Sequence, residues 1–341
     1  MIGARRYGSA DGNIRWILTD SRSVCFPEET LFFAIRSERN DGHRYIADLY
    51  RRGVRNFVVE ELPADRDTAY ADANFLKVPH SVEALQRLAE RHRDEFDIPI
   101  VGITGSNGKT VVKEWLYQLL SPQMVVTRSP RSYNSQIGVP LSVWLLDEHS
   151  QVGVFEAGIS QKGEMQALRA IIQPTVGVLT NLGTAHQENF ASMEEKCLEK
   201  LKLFHDTKAI VYPWDDETVR SCVARYDYKG EQIAWSMRDP AAKMYINKVE
   251  KSGISTTVSY VFDGREGRYT LPFIDEASVA NSVVCAAVAL HLGLTTEQVA
   301  GRMSDVEPVA MRLEVKEGQH GCTLINDSYN SDINSLDIAL D

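Results

Sequence analysis

A glycine-rich segment at residues 104–110, TGSNGKT, contains the groups that a phosphate-binding loop needs. Gly105 and Gly108 permit backbone conformations that other residues disfavour, and they let amide groups approach an anion closely. Lys109 is placed to reach the β- and γ-phosphates of a nucleotide, and the hydroxyl of Thr110 to contact Mg²⁺. The predicted phosphate-binding residues are therefore Thr104, Gly105, Ser106, Asn107, Gly108, Lys109 and Thr110.

The residues around this loop bear on the choice between a nucleotide site and an ordinary glycine-rich turn. The match to the pattern G-x-x-x-x-G-K-[ST] is incomplete, because Ile103 stands where the first glycine belongs. The apolar run 98–103 predicts a buried strand before the loop. After the loop, one helical face collects Val111, Val112, Trp115, Leu116, Leu119 and Leu120. The N-terminus of that helix adds unpaired amides and a partial positive charge, so this context favours phosphate binding.

Two polar residues follow later apolar runs in the manner of strand ends. Glu156 comes directly after the run 152–155, and His186 follows the run that ends at 179–181. In an open α/β sheet, ligands bind at the carboxyl ends of the strands. Taken singly, Glu156 could equally be a solvated strand end, and a lone histidine is more often structural. Together, beside a phosphate loop, the two residues indicate a metal site.

Lys200 is an unusual residue on a predicted helix. Ser192 and Glu195 form an S-x-x-E capping box, so the helix is expected to start at residue 193. One face of it carries Cys197, Lys200, Leu201 and Phe204, whereas Lys196 and Lys202 fall on other faces. A lysine among core-facing positions either snorkels to the edge or finds a partner. The pattern alone favours snorkelling; burial would favour the neutral amine, which reacts with CO₂ to give a carbamate.

The elements that must position these residues suggest an α/β protein of more than one domain. Residues 1–97 have the pattern of a small α/β domain that ends in a charged linker at 91–97. Its predicted strands are 17–19, 31–35, 56–59 and 75–77, and its predicted helices are 45–52 and 82–93.

Residues 98–310 are predicted to form a second, larger domain. Near-continuous apolar runs alternate there with helical segments, which indicates a parallel sheet covered on both faces. The runs are 98–103, 152–155, 176–179 and 209–212. Residues 311–341 are predicted to begin a truncated third domain, with two strands at 312–316 and 323–326 and the opening of a helix.

Composition excludes several classes of protein. With 43% hydrophobic and 25% charged residues, the 341-residue chain has the balance of a globular enzyme, and its net charge of −10 argues against nucleic acid as a partner. No apolar stretch is long enough for a signal peptide or a membrane span. The cysteines are odd in number and form no C-x-x-C pair, which favours a reduced cytoplasm over disulfides or zinc. We therefore expect a cytoplasmic protein without membrane insertion.

The phosphate loop, followed in order by Glu156, His186 and Lys200, resembles the Mur ligases, ATP-dependent amide-forming enzymes that build the peptidoglycan peptide. The resemblance extends over essentially the whole chain. Residues 20–22 and 31–43 are similar to the uridine-nucleotide-binding N-terminal domain of that family. Residues 133–140 are similar to the family's N-N-x-I-G-x-P segment, and residues 155–165 and 326–332 are most similar to the branch that adds D-alanyl-D-alanine to UDP-N-acetylmuramoyl-tripeptide.

The resemblance implies roles for individual residues. The implied catalytic residues are Lys109, Glu156, His186 and Lys200, and the implied ligands of two Mg²⁺ ions are Thr110, Glu156, His186 and carbamylated Lys200. The fourteen-residue step from His186 to Lys200 agrees with the family spacing. For ATP, the implied contacts are Asn281 to adenine, Arg312 to the γ-phosphate and Asp327 to the ribose. The UDP-substrate would contact Ser21, Arg22, Arg39, Asp41, His43 and Asn134.

The chain also departs from the family pattern. Ser132 and Ser135 stand where asparagine is usual, and Ala277 stands where a histidine commonly precedes the adenine asparagine. The family's third domain, a Rossmann-like unit that closes over the site, is incomplete, so we expect this chain to bind nucleotide but to ligate poorly alone. The N-terminal sequence resembles that of Bacteroidetes proteins in which the ligase is fused to an alanine racemase.

The reaction implied by the resemblance begins with attack of the tripeptide carboxylate on ATP, and D-alanyl-D-alanine then displaces phosphate from the acyl phosphate. Two other functions remain open. The first is another Mur-type ligase or a folylpolyglutamate synthase, with the same chemistry on a different acceptor. The second is a P-loop nucleotide switch, for which Glu156, His186 and Lys200 would be coincidental.

Overall fold

The computed structural model describes residues 2–8, 12–38, 40–185, 187–310, 314–317 and 322–326. The chain divides into two compact units, Met1–Glu95 and Phe96–Asp341, and the division falls within the charged segment predicted as a linker. The separate third domain from residue 311 stays a prediction. None of the helices in the described ranges has the length and apolar content that a membrane span requires.

The described part of the first unit contains a five-stranded sheet in the order β1-β5-β4-β3-β2. Its strands are β1 (Arg5–Tyr7), β2 (Trp16–Leu18), β3 (Thr30–Phe33), β4 (Asn56–Val59) and β5 (Asn74–Lys77), and its helices are α1 (Ile46–Arg51), α2 (Arg66–Ala69) and α3 (Ser81–Arg93). Strands β2 to β5 are parallel and β1 is antiparallel to β5. The four predicted strands and two predicted helices are confirmed; β1 and α2, short and largely exposed, were not predicted.

This first unit has its own apolar core. Phe32, Leu49, Phe57 and Phe75 are buried between the sheet and the helices. The rings of Phe57 and Phe75 stack with their centroids 5.4 Å apart. Because strands β3 and β4 are buried on both faces, they have nearly continuous apolar runs instead of alternation, which is why the sequence pattern located them.

In the described part of the second unit, nine strands form one sheet in the order β14-β13-β12-β11-β10-β9-β6-β8-β7. They are β6 (Ile100–Thr104), β7 (Val126–Arg128), β8 (Val152–Glu156), β9 (Val176–Leu179), β10 (Ala209–Pro213), β11 (Glu231–Ser236), β12 (Met244–Ser252), β13 (Ser255–Phe262) and β14 (Arg265–Leu271). Strands β6 to β12 are parallel, which confirms the α/β fold class, and β13 and β14 extend the sheet in antiparallel pairing.

Helices follow most of the parallel strands. They are α4 (Lys109–Leu120), α5 (Gly138–Val143), α6 (Glu164–Ile172), α7 (Met193–Leu201), α8 (Glu217–Tyr226), α9 (Glu276–His291) and α10 (Thr296–Met303). Further along the chain, β15 (Glu314–Glu317) and β16 (Thr323–Asn326) pair as an antiparallel hairpin, close to the two strands predicted there.

The strand order determines where a ligand site forms. Strand β6 lies between β8 and β9, so the chain leaves it toward one side of the sheet and later returns on the other. Ile103 pairs with Glu156, and Thr104 pairs with Leu179, which brings the carboxyl ends of three strands to one edge. In open α/β sheets, ligands bind in the crevice outside such a switch point.

Candidate functional site

The phosphate loop connects the end of β6 to the start of α4, as predicted. Gly105 has φ +146° and Gly108 has φ +80°, so both lie in the region that favours glycine. A Cβ atom at Gly105 would lie 1.9 Å from Thr180 Oγ1, and one at Gly108 would lie 2.4 Å from Asn281 Oδ1. Both glycines are therefore required by conformation and by close approach, and Asn281 lies against the loop.

The loop is held in shape by the segment that follows β9. Ser106 N donates to Asn181 O at 3.0 Å, and Asn107 N donates to Asn181 Oδ1 at 2.9 Å. Two side-chain bonds add to these: Thr180 Oγ1 donates to Asn107 O at 2.6 Å, and Ser106 Oγ donates to Gly183 O at 3.1 Å. Sequence reasoning missed this brace, since it becomes visible only when the strand order places β9 beside β6.

The Lys109 amine folds back over the loop. Its Nζ donates to the carbonyl oxygens of Gly105 at 2.8 Å and Ser106 at 3.0 Å. Thr104, the last residue of β6, is fully buried, and its carbonyl accepts from Thr180 N at 3.0 Å. Lys109 is thus held at the rim of the loop, where an ammonium group faces any bound phosphate.

Glu156 is the last residue of β8 and is fully buried, so the solvated strand end considered from the sequence is wrong. Its Oε2 accepts from Thr110 Oγ1 at 3.1 Å and from Asn134 Nδ2 at 3.4 Å. The Oγ atoms of Thr110 and Ser132 are 2.9 Å apart. The predicted metal residues Thr110 and Glu156 therefore meet, together with the predicted substrate residue Asn134.

Lys113, which the sequence analysis did not identify, lies beneath this group and is fully buried. Its Nζ is 2.8 Å from Glu114 Oε1 and 3.3 Å from Glu156 Oε1. The second distance suits an ion pair without the alignment of a hydrogen bond, since no hydrogen bond to Glu156 Oε1 occurs among the described residues. The sequence could have indicated this residue, because Lys113 falls three residues before Leu116, on the apolar side of the predicted helix.

Lys200 is 3% exposed, so the snorkelling that the pattern alone favours is wrong. Its Nζ donates to Gly105 O at 3.1 Å, the carbonyl that Lys109 also contacts. Burial lowers the pKa of Lys200 well below its usual value, and the neighbouring ammonium groups of Lys109 and Lys196 lower it further. The amine therefore loses its proton more readily than an exposed lysine does, and the neutral form is the one that reacts with CO₂.

Lys196 was placed on an outer face of α7, and that prediction is wrong. It is 2% exposed, and its Nζ donates to Gly183 O at 2.5 Å and to Ala185 O. The helix itself starts at residue 193 as predicted, with Ser192 Oγ accepting from Glu195 N. The reciprocal half of the capping box differs, because the Glu195 carboxylate accepts from Ala191 N at 2.8 Å.

These groups meet at a cavity of about 430 Å³. Its walls include the phosphate loop from Gly105 to Thr110, Ser132, Asn134 and Ser135, and the Lys200 side chain. The cavity brings together the Lys109 and Lys200 side chains, hydroxyl groups and the phosphate loop, and the buried Glu156 carboxylate contacts the lining residue Thr110. That combination suits a triphosphate whose charge is neutralised during reaction.

Four of the predicted UDP-substrate residues, Ser21, Arg22, Asp41 and His43, lie in the described part of the first unit, whereas Asn134 lies in the second. The Arg22 guanidinium, 87% exposed, contacts Asp20 at 2.7 Å and lowers the pKa of Asp20 to about 2, while Ser21 O accepts from Arg52. His43 Nδ1 lies 2.6 Å from Asp41 Oδ1, and its Nε2 accepts from two backbone amides. Both ring nitrogens of His43 are thus used inside the protein, which gives this residue a structural role.

Four predicted site residues lie outside the described residues: Arg39, His186, Arg312 and Asp327. Their roles stay predictions. Within the described ranges, no three His, Cys, Asp or Glu residues are grouped to hold a metal ion. The described oxygen groups that meet beside the phosphate loop are the hydroxyl of Thr110 and the carboxylate of Glu156.

Comparison with known proteins identifies the family. Residues 103–289 match the Mur ligase middle domain, and residues 13–93 match the catalytic domain of the Mur ligase family. The UDP-N-acetylmuramoyl-tripeptide–D-alanyl-D-alanine ligase of Treponema pallidum (strain Nichols) is 30% identical over 328 residues, which cover 94% of this chain and 69% of that protein. The ligase of the same name from Bacillus subtilis (strain 168) is 27% identical over 333 residues, covering 96% and 69%.

A solved structure agrees with these relatives. The MurF ligase from Thermotoga maritima in complex with ADP superposes with a TM-score of 0.82 at 25% identity, covering 96% of this chain and 74% of that one. The match to the Mur ligase middle domain alone spans more than half of the 341 residues. The chain therefore belongs to the Mur ligase family, as an ATP-dependent ligase of the MurF type.

Proposed function

We propose that this chain carries the ATP-binding and UDP-substrate-binding units of a ligase that joins D-alanyl-D-alanine to UDP-N-acetylmuramoyl-tripeptide in peptidoglycan synthesis. The observation that carries the proposal is the convergence of Lys109, Thr110, Glu156 and Lys200 on the phosphate loop. Relatives named for this reaction match 94% to 96% of the chain. The cytoplasmic location and a fused racemase stay predictions from the sequence.

The reaction proceeds in two steps. The tripeptide carboxylate attacks the γ-phosphorus of ATP, which releases ADP and leaves an acyl phosphate. The amine of D-alanyl-D-alanine then attacks the acyl carbon, phosphate leaves, and the amine proton is lost as the amide forms. Positioning and charge neutralisation supply most of the acceleration in phosphoryl transfer. Lys109, held at the rim of the loop, neutralises charge on the transferring oxygens.

The residues present fit magnesium. Mg²⁺ prefers hard oxygen ligands, and the Thr110 hydroxyl and the Glu156 carboxylate lie 3.1 Å apart at the loop. The Glu156 Oε2 atom, which accepts from the Thr110 hydroxyl, is the carboxylate oxygen available to the ion, since Oε1 lies 3.3 Å from the Lys113 ammonium. When bound, Mg²⁺ neutralises charge on the phosphate oxygens.

Carbamylation of Lys200 would complete this set of ligands. The neutral amine forms an N–C bond to CO₂ and loses a proton, and the resulting carbamate shares one negative charge between two oxygens that would suit a second Mg²⁺. His186 is the other proposed ligand of that ion. A crystal map at neutral pH with Mg²⁺ and nucleotide bound tests this step, and an unmodified Lys200 amine there would contradict it.

The site is tested by the substitution Lys109→Ala in the full-length ligase. We expect the rate of phosphate release that requires both the UDP-tripeptide and D-alanyl-D-alanine to fall by about 10²-fold or more, since a charge that stabilises the transition state is lost. Lys229→Ala serves as the control, because Lys229 is exposed and pairs only with Asp227 in the described ranges. Undiminished turnover of Lys109→Ala would reject the assignment.

The choice of acceptor is tested separately. Turnover is compared with D-alanyl-D-alanine, single amino acids and glutamate as the amine substrate. A preference for a single amino acid or glutamate would indicate another Mur-type ligase or a folylpolyglutamate synthase. Hydrolysis of ATP at the same rate without any acceptor would instead indicate a nucleotide switch.

A further inference from the structure

Lys113 makes contacts that the proposed reaction does not yet use. We propose that Lys113 is a positioning residue, which holds Glu156 and the turn at residues 129–134 in the arrangement that binds Mg²⁺ together with ATP. The inference rests on the proposed function of the phosphate-loop site. Lys113 itself does not reach the cavity, since it is fully buried and is not among the cavity's lining residues.

The first contact of Lys113 is with Glu156. The Lys113 Nζ lies 3.3 Å from Glu156 Oε1, and its other ion pair among the described residues is with Glu114 Oε1 at 2.8 Å. The other oxygen of Glu156, Oε2, faces Thr110 and Asn134. An ammonium on one oxygen of a buried carboxylate fixes the rotation of that group, so Oε2 stays directed at the loop.

The second set of contacts is with the turn that follows β7. Lys113 Nζ donates to Ser129 O at 2.9 Å and to Arg131 O. Arg131 has φ +50°, a left-handed conformation that is unfavourable for a residue other than glycine and needs support from its surroundings. Lys113 supplies a donor to the carbonyl of this strained residue.

The turn carries two side chains of the site. Ser132, which follows Arg131, has its Oγ 2.9 Å from Thr110 Oγ1, and Asn134 donates to Glu156 Oε2. The Ser129 hydroxyl accepts from Glu156 N at 3.3 Å. Lys113 therefore supports the Thr110–Glu156 pair by two routes, directly through Oε1 and indirectly through the turn.

The test measures ATP affinity of the folded chain with Mg²⁺ and with a chelator, in the parent protein and in Lys113→Met. We expect the strengthening of ATP binding by Mg²⁺ to fall by about 10- to 100-fold, as is usual when a group that orients a metal ligand is removed. Affinity without Mg²⁺ should change little, because Lys109 and the loop amides remain. Lys229→Met, at an exposed position, is the matched control.

A double-mutant cycle separates positioning from a general structural role. If Lys113 acts through Glu156, then Lys113→Met adds little to the loss of Mg²⁺ dependence already caused by Glu156→Gln. Equal losses from Lys113→Met in both backgrounds would contradict the inference. If Lys113→Met does not fold, Lys113→Gln, which keeps a donor for the Ser129 carbonyl, is measured in its place with the same expectations.

The outcomes distinguish this inference from the function on which it depends. No effect of Mg²⁺ on ATP binding by the parent chain would overturn the proposed function and this inference together. Normal Mg²⁺ dependence in the parent and an unchanged dependence in Lys113→Met would overturn the role of Lys113 alone. A loss confined to the Mg²⁺-dependent part of the affinity supports it.

Discussion

Burial of the Lys200 amine makes the stability of the folded chain depend on one proton. The pKa of Lys200 is lowered from 10.5 first by desolvation and then by the charges of Lys109 and Lys196. Between the folded pKa and 10.5, the unfolded chain binds more protons than the folded chain, so stability rises with pH through that window. Below the folded pKa, the full cost of burying the ammonium is present.

The substitution Lys200→Met removes this titrating group from the core. In CO₂-free buffer without nucleotide, the variant should be more stable than the parent at neutral pH, and the difference should shrink as pH approaches 10. The measurement is urea unfolding across that range. Parallel pH profiles for the two proteins would show that Lys200 does not titrate with a lowered pKa in the folded chain.

At the scale of elements, two helices begin at glycines with nearly the same backbone conformation. Gly108 precedes α4 with φ +80°, and Gly163 precedes α6 with φ +92°. A Cβ at Gly108 would lie 2.4 Å from Asn281 Oδ1, whereas a Cβ at Gly163 would meet no atom within 4 Å. Alanine substitutions at these two glycines therefore distinguish the effect of backbone strain from the effect of displacing the phosphate loop.

We therefore predict different results for Gly108→Ala and Gly163→Ala. Both should lower the free energy of unfolding by about 1–2 kcal/mol, the cost of the left-handed conformation for alanine. Only Gly108→Ala should also weaken ATP binding, because its methyl group displaces Asn281 and the loop. Equal ATP affinities for the two variants, measured by titration calorimetry, would contradict the argument.

The same scale shows which elements the sequence can predict. The run 176–179 coincides with β9, and the runs before and after it fall within a residue or two of β6, β8 and β10, because strands buried on both faces are continuously apolar. Strands β13 and β14 were missed, since their more buried residues alternate with more exposed ones and they carry Ser, Thr, Arg and Glu side chains between the apolar ones. An apolar-run criterion cannot detect such a half-exposed pair.

The candidate site was predictable where a motif or a strand end marked it. Thr110, Glu156 and Lys200 follow from the loop, the end of β8 and the apolar face of α7. The brace from Thr180 and Asn181 requires the strand order, which no local pattern contains. Lys113 and Lys196 could have been identified in the same way as Lys200, by asking which partner a lysine finds when it lies on a buried face of its helix.

At the scale of the whole molecule, the sequence predicted the α/β class and a division near residue 97, and the structure divides the chain after residue 95. The predicted linker 91–97 is only partly confirmed, because residues 91–93 belong to α3 and Arg93 is buried, while the division itself falls two residues after the helix. Each unit has its own sheet and its own buried cluster. We therefore expect the first unit to fold independently of the second.

Because the first unit has a closed core of its own, residues 1–95 expressed alone should fold and unfold in one cooperative transition, measured by circular dichroism in urea. Within that fragment, Phe57→Ala should lower the free energy of unfolding by about 3–5 kcal/mol, since Phe57 is fully buried and stacks on Phe75. Arg51→Ala, on the exposed side of α1, is the control and should stay within about 0.5 kcal/mol. A fragment without a cooperative transition, or one insensitive to Phe57→Ala, would show that this core is insufficient by itself.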